Sequence, residues 1–122
     1  MLKVRVGARH QKTPRFDAIV DTGSPWCLFR ADVGDYLGID VKSGNSTTLG
    51  GISEGMEEPV FFHKEQIWVE ESWLTEVEAG FVKKLRFTGI LGRNGFFDNF
   101  LVRFDHTHNP PEFEIERIPP VQ

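Results

Sequence analysis

One short segment of this chain has the residue types of hydrolytic chemistry: Asp21-Thr22-Gly23-Ser24, delivered by the apolar run Ala18-Ile19-Val20. An ionised carboxylate at the end of a buried strand is strongly disfavoured unless it is paired, neutralised or hydrogen-bonded. Thr22, Gly23 and Ser24 supply the means of hydrogen-bonding it. Peptide hydrolysis without a metal or a covalent intermediate needs a base for the attacking water. It also needs an acid for the substrate oxygen and the leaving amine. Two carboxylates in close contact can do both, because like charges at that range cannot both ionise and the pair shares one proton. Asp21 supplies one of them. Asp32, Asp35, Asp40, Asp98 and Asp105 lack the apolar approach and the small residues that follow Asp21. The second carboxylate is therefore expected from another copy of the chain, with Asp21 close to a two-fold axis.

The remaining reactive side chains form no competing pattern. Cys27 sits among apolar neighbours that oppose thiolate formation, and reads as a small core hydrophobe. His106 and His108 precede Asn109-Pro110-Pro111, with no third ligand at a recognisable spacing, and read as a solvated turn. No metal and no cofactor is expected. Glu54, Glu57, Glu58, Glu70 and Glu71 make an acidic, solvated surface.

The elements that must position Asp21 are short and punctuated by turn formers. Leu2-Lys3-Val4-Arg5-Val6 alternates with period two and predicts a half-buried strand. Residues 9–15 read as a hairpin loop, Phe16–Val20 as the strand that ends at Asp21, and Trp26–Phe29 as a buried strand. Val33, Tyr36 and Leu37, with Gly38 behind them, predict one short helix. Residues 44–58 hold four glycines and read as the tip of a projecting hairpin, followed by strands over Val60–Val69 and 73–82. Phe87–Leu91 reads as a strand leading to a short helical turn at Gly92–Phe97. Phe100–Phe104 and Phe113–Glu116 are two more strands. The sum is a mostly-β, barrel-like single domain over residues 1–122.

Composition agrees. A chain of 122 residues is long enough for one core, and 39% hydrophobic with 26% charged residues is that of a soluble globular protein. A net charge of −4 offers no basic footprint, so nucleic acid is not expected as a partner. The apolar runs are too short to span a bilayer, and residues 1–20 lack the apolar core of a signal peptide. One cysteine permits no internal disulfide and suggests a reducing compartment; the expected location is cytoplasmic.

FDAIVDTGSPWCLF resembles the active-site strand–loop–strand of retropepsin-like aspartic proteases. LGGISEG resembles their glycine-rich flap tip, and GILGRNGFF the Gly-Arg-Asn block before their short C-terminal helix. The order matches, and the arrangement is most similar to the bacterial single-domain members. The resemblance implies a small closed acid-protease barrel with a flap hairpin and one or two short helices. It implies catalytic roles for Asp21, Thr22 and Gly23, with Thr22 tying two active-site loops together and Ser24 bonding an outer carboxylate oxygen. Gly50, Gly51, Ile52 and Gly55 would form the flap tip over the substrate. Ile90 and Leu91 would wall its pockets, and Arg93 would brace the helix against the active-site loop. Pro25 stands where viral members often carry an acid that pairs with that arginine.

The expected function is that of an aspartic endopeptidase acting on extended peptide or protein segments, one Asp21 from each subunit of a homodimer. The alternative is a module of the same fold that dimerises or binds peptides with little or no cleavage.

Overall fold

The computed structural model describes residues 1–8, 10–49, 58–70, 73–105, 107 and 112–118. Strand β1 (Leu2–Ala8) buries Leu2, Val4 and Val6 on one side, as its alternation predicts. It turns through β2 (Gln11–Lys12) into β3 (Phe16–Val20), which pairs antiparallel with β1. After the Asp21 loop come β4 (Leu28–Arg30) and helix α1 (Ala31–Tyr36). A 3₁₀ turn at Val41–Ser43 leads to the hairpin arms β5 (Asn45–Leu49) and β6 (Glu58–Val69). Strands β7 (Trp73–Val82) and β8 (Gly89–Leu91) complete the main sheet. A separate two-stranded sheet joins β9 (Phe100–Asp105) to β10 (Glu112–Arg117).

The main sheet runs β2-β1-β3-β8-β4-β7-β6-β5 and closes on itself where β1 pairs with β6. The closed ring is thus β1, β3, β8, β4, β7 and β6, a small barrel with the β5 and β2 arms outside it. Closure leaves the six ring strands without a free edge. Inside lie Phe29, Phe81, Leu91, Ile67, Val4 and Val6, all at or near zero exposure. Each such side chain contributes about 1.5–3 kcal/mol of hydrophobic stabilisation.

Helix α1 stands where the spacing of Val33 and Leu37 predicts it, and Gly38 follows its end at a φ of +74°. Gly34, a weak helix former, has a packing reason to be there: a Cβ would come within 2.6 Å of Val41 Cγ2 and 3.2 Å of Phe81.

Around the Asp21 loop, three segments differ from the sequence reading. The third-from-last strand is only Gly89–Leu91, because Phe87 turns out of the sheet, its ring 5.6 Å from the Arg86 guanidinium. Trp26 bridges to Asn94 instead of extending β4, which therefore begins at Leu28. The segment Gly92–Phe97 forms turns and no helix, with Phe97 N–H bonded to Gly92 O and Asp98 N–H to Arg93 O. Asp98 Oδ1 and the Asn99 amide cap those turns on Gly95.

Candidate active site

The topology sets Asp21 at a crossing of three strands. β3 delivers Asp21, β4 carries the chain away, and β8 lies between them, parallel to β3 and antiparallel to β4. Asp21 and the start of β4 are therefore at the C-terminal end of β8, and the loop 21–27 arches over it. Asp21 N–H donates to Leu91 O at 3.0 Å. Leaving β8, the chain passes tightly under the loop: Arg93 N–H bonds Ser24 O at 2.9 Å, and Asn94 N–H bonds Pro25 O at 3.0 Å. Gly92 makes this passage feasible, since a Cβ there would lie 2.2 Å from Trp26 O and 2.6 Å from Ser24 O.

Within the loop, Asp21 Oδ1 accepts the Gly23 N–H at 2.8 Å, and Ser24 N–H bonds Asp21 O at 3.2 Å. A Cβ on Gly23 would press to 3.0 Å from that carboxylate oxygen. The Ser24 hydroxyl is turned the other way and donates to Trp26 O at 2.7 Å. In a single chain it serves the backbone of the loop, not the outer carboxylate oxygen that the resemblance implies. Arg93 reaches the loop from outside, Nη1 donating to Thr22 O at 3.2 Å. It ties the turns after β8, where the resemblance implies a helix, to a loop carbonyl.

Asp21, Thr22 and Gly23 are all exposed. The carboxylate lies at the end of a half-buried strand but is itself open to solvent, so the desolvation that the sequence suggests is absent from the single chain.

Ile90 and Leu91 part company. Successive side chains of a strand point to opposite faces, and Leu91 is at 0% exposure in the barrel core, where it cannot wall an open pocket. Ile90 faces the other way and joins a second apolar cluster with Leu28, Val60, Val82, Phe62 and Trp26. The register places that cluster beside Asp21, because Ile90 pairs with Ile19 on the strand that ends at Asp21 and with Leu28 on the strand that follows the loop. Sequence reading did not group Trp26, Leu28, Val60 and Phe62 with Ile90 in one apolar cluster. Alternation in β6 holds the signal, since Val60 and Phe62 fall on one face and Phe61 on the other.

Gly50, Gly51, Ile52 and Gly55 lie outside the described residues, as do His106 and His108. The arms that carry the glycine-rich segment are described and paired from Asn45↔Phe62 to Leu49↔Glu58.

A family model described as aspartyl protease matches residues 4–94, which run from Val4 within β1 to Asn94 and so contain the whole of this loop and its β3, β4 and β8 supports. The chain belongs to the aspartyl protease family. The match ends within the turns before β9, so the β9–β10 sheet of this aspartyl protease lies beyond it. No curated protein and no solved structure matches the chain. Among the described residues, no helix of the protease is long and apolar enough to cross a membrane, which does not bear on strands.

Proposed function

We propose that this protease is a homodimeric aspartic endopeptidase in which each chain contributes one Asp21 to a shared dyad. The observation that carries this reading is the exposed Asp21 carboxylate, held by the Gly23 N–H on a loop pinned to β8 and bordered by the Ile90 wall. A lone exposed carboxylate has no acid partner for the reaction, and a two-fold related Asp21 supplies one.

In the dyad one carboxylate is ionised and the other holds the shared proton. The ionised group takes a proton from water as the water oxygen attacks the scissile carbonyl carbon. The protonated group gives its proton to the carbonyl oxygen. The resulting diol collapses as the amine nitrogen is protonated and the C–N bond breaks, returning one proton to the pair. Substrate lies extended, as an added strand with side chains reading alternate pockets. Ile90 walls one such pocket, Ser24 and the loop carbonyls lie along the path, and Gly50, Gly51, Ile52 and Gly55 close over it to exclude water. Thr22 ties the two loops together, and Gly23 lets backbone approach the dyad.

The test compares wild type with Asp21→Asn on a diverse peptide library from acidic to neutral pH, with mass measured by light scattering. Wild type is expected to cleave as a dimer, and the variant to lose at least about 10²–10⁴-fold, the span of general acid–base catalysis. Equal cleavage by both proteins, or cleavage by a strictly monomeric wild type, sinks the shared dyad. A folded dimer that binds peptides without cutting them favours the binding module.

A further inference from the structure

A cavity of about 500 Å³ opens beside the active-site loop, within the roughly 300–1,000 Å³ of small-ligand sites. Its apolar side is the pair Trp26 and Phe62, packed edge to face with ring centroids 5.3 Å apart. Both belong to the apolar cluster that contains Ile90, so the cavity continues the wall that starts at Asp21. Glu76, Glu78, Asp98 and Asn94 line it as well. Glu76 and Glu78 are two apart on β7 and share one face, both exposed, while Val77 between them is buried. Asp98 Oδ1 is used by Gly95 N–H and the Asn99 amide, so the carboxylates of Glu76 and Glu78, together with Asp98 Oδ2, are the acceptors that meet a ligand. Lys64 stands opposite Glu78 in the β6–β7 ladder but does not line the cavity.

We propose that this cavity is a substrate subsite for a basic side chain, lysine or arginine, at one position of the bound peptide. The inference rests on the peptidase reading above. The chemistry is that of a long cationic side chain: its methylene stem lies along Trp26 and Phe62, and its charged head reaches the carboxylates. An indole is also the best aromatic partner for a cation. An acidic side chain at the same position meets two like charges and is rejected. The position is away from the scissile bond, since Trp26 lies at the end of the loop remote from Asp21 and bridges to Asn94.

The test uses peptides sharing one cleavable core, each position varied in turn among lysine, arginine, norleucine and glutamate. At one position wild type is expected to favour lysine or arginine over glutamate by about tenfold in kcat/KM, from a partly desolvated ion pair and a cation–π contact. The Glu76→Gln/Glu78→Gln double variant is expected to lower the lysine-to-norleucine ratio about fivefold, and Glu78→Lys to reverse the order of lysine and glutamate. Circular dichroism checks that both are folded. A flat profile in wild type, or a preference unchanged in the folded double variant, overturns the subsite. Binding of the same peptides, followed by tryptophan fluorescence, separates this from failure of the peptidase reading. Lysine peptides that bind by way of Glu76 and Glu78 but are not cut keep the subsite and remove the protease. Absence of any lysine preference in both cleavage and binding removes the subsite.

Discussion

Arg93 Nη1 donates to the carbonyl of Thr22 across 71 positions of sequence, at 3.2 Å. With Arg93 N–H on Ser24 O, one residue holds the active-site loop at two points, once through its main chain and once through its side chain. Substitution by alanine removes the side-chain tie and leaves the main-chain one. Arg93→Ala is expected to cost about 1 kcal/mol of stability, the usual net worth of such a bond at an exposed site. The loss in kcat/KM should be larger, about tenfold or more, because small displacements of a catalytic group are amplified in rate. Thermal unfolding beside steady-state kinetics checks the split. A variant that loses stability without losing kcat/KM shows that the tie is structural only.

Gly92 is where the chain leaving β8 passes under the loop. A Cβ at 2.2 Å from Trp26 O meets backbone and cannot be relieved by a rotamer. Gly92→Ala is expected to destabilise by about 3 kcal/mol or more and to abolish activity, read by urea unfolding. Gly34→Ala gives a graded contrast. Alanine in a helix is normally favoured by about 1 kcal/mol, but here the new methyl meets Val41 Cγ2 at 2.6 Å and the ring of Phe81. Overpacking is expected to win and reverse the sign, giving a net loss of about 1–2 kcal/mol.

Much of this was legible beforehand, and the exceptions share a cause. Period two in Leu2–Val6 and the apolar approach to Asp21 identify β1 and β3 without reference to the rest of the chain. Val33, Leu37 and Gly38 do the same for α1. What local pattern cannot carry is pairing between distant segments. The β1–β6 ladder that closes the barrel joins Val4 to Val69 and Gly7 to Gln66. The insertion of β8 between β3 and β4 sends Ile90 to the second apolar cluster and Leu91 to the core, although the two look alike in sequence. Glu76 and Glu78 are unremarkable glutamates until the Trp26–Asn94 bridge and the β6–β7 ladder bring Trp26 and Phe62 to the same cavity. Asp21 itself was read from its neighbours as buried, and one chain leaves it exposed.

Cys27 gives a prediction in pH. It is at 0% exposure, and burial, with a smaller contribution from the charge of Asp98, pushes its thiol up to about 11 from an ordinary value of 9.0. The folded state therefore holds its proton where the unfolded state releases it. Stability from this group is complete below about pH 9 and is lost as pH rises toward about 11, with a slope near 1.4 kcal/mol per unit and a total of about 2–3 kcal/mol. Lysines titrate in the same window, so the quantity to measure is the difference between wild type and Cys27→Ala in denaturant unfolding from pH 8 to 11. The gap should narrow as pH rises. A constant gap removes the assignment, and native Cys27 should resist thiol reagents at pH 8 until the protein is unfolded.

The β9–β10 sheet supplies the prediction that bears on the proposed dyad. Its register sets Phe100, Val102, Phe104 and Ile115 on one face and Leu101, Arg103, Glu114 and Glu116 on the other. Phe100 is buried in the barrel core, and Val102 and Ile115 pack against it. Phe104 continues that apolar face beyond the core and is 51% exposed. Leu101, although 47% exposed, stands among charged side chains on the opposite face. A second copy covering the Phe104 end of the sheet would bury a large aromatic surface, worth about 1.5–3 kcal/mol per phenylalanine side chain. Phe104→Glu is then expected to weaken dimerisation tenfold or more, by about 1.4 kcal/mol or more, while Leu101→Glu changes it little. Sedimentation equilibrium measures both, and the activity of Phe104→Glu should fall with dilution at concentrations where wild type holds its specific activity. Loss of activity in Phe104→Glu with the dimer intact separates this face from assembly, and equal weakening by the two variants shows that added charge, not Phe104, is responsible.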